Sequence, residues 1–323
     1  MGITSSQAEP RGTLRILWEG LKLPYNNLAL LHPILLLSFL STTLLFLASN
    51  LYLIPLLLDL AAKSSLKDNT DHESPPEYSL QPTAVLKDSK QVVLIAVVVL
   101  ILSFVVKSFV ATTAVHVLST AYSSKTTPSS KLREVFAGLN WSLIKRCMIT
   151  QLYVAVGHLG FILMVGLTAG LLYFSYVFMI IFAVVYIAAL EVYLYLYLLM
   201  VANTSVVVSV VEEGCYGLEA IAKASKLVGG RSKQAIRIAL VELAVGGFFY
   251  GVYALGMVSA APVGVSRWAL GFGQVAVGAV VSVLIWSVQT VYYYECSTGH
   301  AEGGIAIAME GGFKYSPVPT TSQ

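Results

Sequence analysis

Long stretches of this chain carry almost no charge, and nothing else in it limits the possible folds as strongly. From Leu171 to Val211 the only charged residue is Glu191, and several other apolar runs also exceed the ~20 residues that a helix needs to cross a bilayer. Charged residues make up 11% of the 323-residue chain and hydrophobic ones 57%, whereas soluble domains carry about 25% charged residues. The chain is therefore read as an all-α polytopic membrane protein with no room for a separate soluble domain. The net charge of +3 is small and spread over short connections. Binding phosphate backbones needs a concentrated basic face, so nucleic acid is excluded as a partner.

In chain order, Leu14, Leu17, Trp18 and Leu21 fall at i, i+3, i+4 and i+7, with Arg11, Arg15, Glu19 and Lys22 opposite. That pattern predicts an amphipathic helix at the membrane surface, with Trp18 at headgroup level. A first span is expected over Pro33–Leu58, then a solvated polar loop over 59–90 with six acids and four lysines. The second span runs from Gln91 to Ala121, longer than a bilayer requires. A basic segment with Lys125, Lys131 and Arg133 follows, in which Leu132, Val135, Phe136 and Leu139 form a second short apolar face with Trp141 at its end. The third span covers Cys147–Leu167, with a tight turn near Thr168-Ala169-Gly170 before the long fourth run. A third surface helix over Tyr216–Val228 is expected to bury Leu218, Ile221, Ala222, Ser225 and Val228, with a Glu219–Lys223 pair on its other face. Spans five and six are expected to Ala260 and over Trp268–Tyr294, with a disordered tail over 296–323.

The connections after spans two and four each hold five Lys or Arg, while the turns near 168–172 and 261–267 hold none and one. The positive-inside rule then gives six crossings with both termini cytosolic. On that topology the sequons at Asn140 and Asn203 carry no glycan. Cys147, Cys215 and Cys296 lie near cytosolic helix ends, where thiols stay reduced, and form no metal-ligand spacing. Packing is the first reading for these thiols and palmitoylation the second; Gly2 with Ser6 fits a myristoylation pattern.

The three surface helices align. Leu14, Arg15, Leu17, Gly20 and Leu21 match Leu132, Arg133, Val135, Gly138 and Leu139, and Leu218, Glu219, Ile221 and Ala224 follow the same order. The even-numbered spans share polar steps at Ala111-Thr112-Thr113, Asn203-Thr204-Ser205 and Gln289-Thr290-Val291. Three units follow, approximately 11–122, 129–211 and 216–295, each a cytosolic amphipathic helix before a hairpin of two transmembrane helices. In the third, the pattern Gly217-x-x-Ala220-Ile221-x-Lys223-x-Ser225-x-Leu227-x-Gly229 resembles a signature of uncharacterised plant polytopic membrane proteins. It is more distantly similar to bacterial inner-membrane families and to the membrane domain fused to some glycerophosphodiester phosphodiesterases. The resemblance covers about residues 90–300 and implies a fold. The acidic metal site of the soluble phosphodiesterase is absent, so that activity is not implied.

Ionisable groups inside a membrane are costly and mark functional candidates. By position, Lys107, His116, Gln289 and Glu295 lie near cytosolic ends, and Glu242 is shallow enough to pair with a base. Glu191 is deeper and His158 falls near the midplane. These two are the catalytic candidates, with Glu191 as the acid of an isomerase or cyclase acting on a flat hydrophobic substrate. Tyr193, Tyr195, Tyr197 and Tyr292–Tyr294 read first as an interfacial aromatic belt and second as a lipid pocket. Gly247 and Gly251 allow close helix approach, read as internal packing before dimerisation. No nucleophile, zinc, P-loop or dinucleotide motif is present, and no cofactor or metal is expected.

The favoured expectation is a non-catalytic membrane scaffold or accessory protein of the endoplasmic reticulum, another endomembrane or the plasma membrane. Its partners would be membrane lipids and another membrane protein, contacted through interfacial Trp18, Lys131, Arg133, Trp141, Lys223 and Lys226. A lipid or hydrophobic-metabolite transporter and an intramembrane enzyme are the alternatives.

Overall fold

The computed structural model describes residues 12–48, 50–51, 81–123, 139–173, 180–259 and 264–310, and every regular element among them is helical. In chain order these are α1 (Thr13–Asn26), α2 (Leu28–Ala48), α3 (Gln81–Ser123), α4 (Trp141–Tyr173), α5 (Ile180–Val211), α6 (Leu218–Gly230), α7 (Ser232–Ser259) and α8 (Gly264–Glu310). Six of them contain a stretch long and apolar enough to cross a membrane: Leu31–Ala48, Val93–Ser123, Trp141–Gly170, Val185–Val211, Ser232–Gly256 and Trp268–Thr298. The molecule is thus an all-helical integral membrane protein.

Several boundaries differ from the sequence expectation. Helix α3 begins at Gln81, inside the expected loop. Helix α4 runs through Thr168-Ala169-Gly170 to Tyr173, because a lone glycine among Ala and Leu costs a helix only about 1 kcal/mol. Helix α8 continues to Glu310, where a disordered tail was expected from 296. The expected second surface helix, with Lys131 and Arg133, lies outside the described residues apart from Leu139, as do Gly2 and most of the first polar loop.

The chain divides into two compact units. One comprises Met1–Leu31, Thr112–Gly246 and Val283–Gln323. Its central element is α5: 61% of its most apolar stretch is buried, against none for α4, which makes α5 the helix around which the others pack. Helix α5 packs on α4 and α6, and α4 also touches α6. Small side chains let the helices close up. Ala114 of α3, Cys147 of α4, Ser205 and Ser209 of α5, Ala224 of α6 and Ala239 of α7 are all fully buried. The second unit comprises His32–Ala111 and Gly247–Ser282. There Phe46 packs edge-on against Trp268, with ring centroids 6.0 Å apart, and against Phe272 at 5.9 Å. A Cβ on Gly271 would overlap the Phe46 ring, so the glycine is what admits it.

Leu152, Val156, Leu159, Ile162 and Leu163 of α4 and Leu94, Val98 and Ile101 of α3 are all exposed on the protein surface. Water would not tolerate such apolar helix faces; lipid does.

The short helix α1 buries Ile16, Gly20 and Pro24, while Leu14, Trp18 and Leu21 remain exposed. At Gly20 an added Cβ would lie 2.7 Å from Val288 Cγ2 and 2.8 Å from Val288 Cα, so α1 meets the α8 backbone at closest approach there. Helix α6 buries Ala220, Ala224, Leu227 and Val228. Of the expected face only Val228 is buried, and Leu218 is exposed. The apolar residues of α6 cover more of its circumference than one face, and the stripe drawn against the bundle pairs two alanines with Leu227 and Val228.

Candidate functional site

The polar chemistry of the described residues gathers in three places, all within the first unit. The deepest centres on Glu242 of α7, a buried residue. Gln289 of α8 donates its Nε2 hydrogen to Glu242 Oε1 at 2.7 Å and approaches Met200 Sδ at 3.3 Å. Asn203 of α5 donates to Glu242 Oε2 at 3.4 Å. Three helices are therefore pinned through one carboxyl group, whose burial would be costly without those amide donors. The Gln289 side-chain carbonyl and the Thr204 hydroxyl are buried without a partner among the described residues. From its sequence position Glu242 is shallow enough to pair with a base. Its partners are instead two amides, because the neighbouring helices present Asn203 and Gln289 at its level. Both belong to the shared polar steps of the even-numbered spans, whose Thr112, Thr113, Ser205 and Thr290 are buried as well.

The second cluster holds α6 in place. Gly214 and Gly217 have φ of 83° and 63°, and with those two left-handed steps the chain turns from α5 into α6. Gly217 donates its backbone N–H to Thr150 Oγ1 at 2.9 Å, and a Cβ there would meet the Tyr153 ring at 3.4 Å. Lys223 forms an ion pair with Glu212, not with Glu219, and Tyr293 of α8 donates its hydroxyl to the same carboxylate at 2.6 Å. The turn at the two glycines carries Lys223 back over Glu212, so an attachment between helices replaces the expected pair within α6. Farther along, the Tyr197 hydroxyl lies 3.2 Å from Ser225 Oγ. Cys215 sits in this turn; burial pushes its thiol above the usual range and the Glu212 charge adds to the effect, partly offset by Lys223. Cys147 and Cys296 are buried, which leaves Cys215 as the accessible thiol of the three.

The third feature is a cleft of about 440 Å³ where three candidate spans end. Ser119, Thr120 and Ser123 of α3 line one side, Asn140 just ahead of α4 with Ser142 and Arg146 of α4 another, and Val211 and Glu213 close it at the end of α5.

No hydrogen bond or ion pair joins the two catalytic candidates to each other. His158 Nδ1 lies 2.9 Å from the Val154 carbonyl in its own helix, and no hydrogen bond or ion pair joins Glu191 to another side chain among the described residues. The aromatic belt divides. Tyr193 is exposed, but Tyr292 and Tyr293 are buried and Tyr294 stacks on Tyr122 at 4.9 Å. At Gly247 and Gly251 no described atom lies within 4 Å of an added Cβ, so the internal close packing is found at Gly20 and Gly271. Trp18, Trp141, Lys223 and Lys226 are all exposed.

A protein-family model described as a domain of unknown function, DUF8558, matches residues 1–306. No curated protein and no solved structure matches the chain.

Proposed function

The chain belongs to the DUF8558 family, whose description carries no activity, and from the molecule itself we propose a non-catalytic membrane scaffold or accessory protein. The observation that carries this reading is the manner in which α6 is held. It is attached through Gly217 to Thr150, through Lys223 to Glu212 and through Ser225 to Tyr197, while Leu218, Glu219 and Lys226 on its other side stay exposed. A helix fastened at three points and open on its outer face suits a fixed platform better than a moving gate.

Helix α1 fits the same role: its buried Gly20 stripe grips α8, and exposed Leu14, Trp18 and Leu21 suit the headgroup boundary of a leaflet. In this proposal both helices are amphipathic and lie on the cytosolic face, with both termini, and each precedes a hairpin in a threefold repeat. Buried Gly20 and Ala224 at equivalent positions support the repeat, and so does the burial of the polar steps in the even-numbered spans. An endomembrane or plasma-membrane setting, a plant relationship and a fold shared with the membrane domain of some glycerophosphodiester phosphodiesterases belong to the same proposal. Partners are membrane lipids and a second membrane protein.

A transporter for a lipid or hydrophobic metabolite is the second reading, favoured by the intramembrane carboxyl group of Glu242 beside the unpartnered Gln289 carbonyl. Complementation of a deletion strain separates the two. For a scaffold, Leu218→Asp with Lys226→Glu abolishes rescue and removes the complex that this reading expects the wild type to form on native gels, whereas Glu191→Gln, His158→Ala and Glu242→Gln all rescue. Loss of rescue in Glu242→Gln with an intact complex would favour transport, and loss in Glu191→Gln or His158→Ala would favour an enzyme.

A further inference from the structure

We infer that the cleft at the ends of α3, α4 and α5 is a binding site for the zwitterionic headgroup of an aminophospholipid, its phosphate held by Arg146 and its ammonium by Glu213. Both charged side chains line the cleft, yet neither forms a hydrogen bond or ion pair among the described residues. Opposite charges sharing a cleft of about 440 Å³ without pairing leave one site for an anion and one for a cation. A ligand that carries both signs a few bonds apart satisfies the two together.

The hydroxyl-bearing residues of the lining sort by the same chemistry. Ser142 lies beside Arg146 in the first turns of α4, where the Leu143 and Ile144 N–H groups reach back to the Asn140 carbonyl. The N–H groups ahead of them have no carbonyl within the helix, and this end of α4 favours a phosphate oxygen. On the α3 side, Ser119 and Thr120 already donate their hydroxyl hydrogens to the His116 carbonyl at 2.9 and 2.8 Å. What Ser119 offers the cleft is oxygen lone pairs, which suit a hydrogen-bonding ammonium. A quaternary ammonium donates no hydrogen bonds and is recognised by several Trp, Tyr or Phe faces; among the described lining residues Tyr294 alone is of that kind. The chemistry therefore selects a primary amine, as in phosphoethanolamine, over phosphocholine.

Location selects the lipid over a free headgroup. The cleft lies at Ser123, Trp141 and Val211, where three membrane-crossing stretches end, which is the level of a leaflet's phosphates. Val210 and Val211 at its edge belong to the apolar end of α5. The site does not depend on the scaffold reading, since it concerns neither α1 nor the outer face of α6.

The test is native mass spectrometry of the full-length protein in detergent, titrated with phosphatidylethanolamine, phosphatidylcholine or phosphatidylglycerol. One phosphatidylethanolamine should bind at least about tenfold more tightly than either of the others, the worth of one charge-assisted hydrogen bond. Arg146→Gln should lose that binding. Glu213→Gln, at an exposed position, should reverse the preference toward anionic phosphatidylglycerol while leaving the melting temperature unchanged. Soluble glycerophosphoethanolamine in large excess should displace the lipid only weakly. Equal binding of the three lipids, indifference to Glu213→Gln, or displacement by the soluble headgroup as efficient as by the lipid would each overturn the inference.

Discussion

At the scale of single residues, the decisive groups are those whose partners come from distant parts of the chain. Glu242 stands 39 residues from Asn203 and 47 from Gln289, and no local pattern announces either contact. The polar steps at Asn203 and Gln289 were legible as departures from apolar runs. What they face was not, because depth counted from Arg237 says nothing about rotation around the helix. Replacing Glu242 with Ala removes the carboxylate acceptor of the buried Gln289 amide and of the half-buried Asn203 amide. The expected loss is about 1–3 kcal/mol, toward the lower end because amides in a membrane find other partners. Glu242→Gln, which keeps an acceptor, should lose less, and melting in detergent distinguishes the two. Cys215 gives a second residue-scale expectation. With its thiol held above the usual range by burial and by Glu212, maleimide should modify it more slowly at neutral pH than a free cysteine, because less thiolate is present. The rate should climb as pH rises through the alkaline range, while Cys147 and Cys296 stay unlabelled in the folded protein. Fast labelling of either buried thiol would contradict the packing described.

At the scale of elements, the spans and both described short helices were readable because lipid imposes a length and a charge rule that sequence obeys locally. Their faces were harder to read. In α6 the face of Leu218, Ile221, Ala222, Ser225 and Val228 is the one expected inward, yet Ala220, Ala224 and Leu227 are buried beside Val228 and Leu218 is exposed. Close helix approach rewards small residues, and hydrophobic size alone does not register that. The run Tyr292–Tyr294 was read as a belt for a related reason: three consecutive rings point in three directions, and the α8 neighbours bury two of them. Helix α1 offers the sharpest test at this scale. A side chain at Gly20 collides with the Val288 backbone, and backbone cannot swing aside as a flexible side chain can. Gly20→Leu should detach α1 while the spans persist, with an overpacking cost of about 1–3 kcal/mol. Hydrogen exchange over Thr13–Asn26 should accelerate at least roughly tenfold. Unchanged protection there would mean that α1 is not held at Gly20.

For the whole molecule, a dearth of charge sets the class, and the basic connections set the orientation proposed for it. Both nodes that join helices, Glu242 with its amides and Glu212 with Lys223 and Tyr293, belong to the unit that holds α6. If α6 faces the cytosol, so does the turn that carries Cys215, and the connection ahead of α8 lies across the membrane. Side-selective labelling tests this directly. In sealed vesicles of known orientation, an impermeant maleimide is applied to the wild type and to a variant carrying Cys215→Ala with Ser266→Cys. The account predicts that Cys215 reacts only from the cytosolic side and the cysteine at 266 only from the opposite side. Reaction of both from the same side would contradict it.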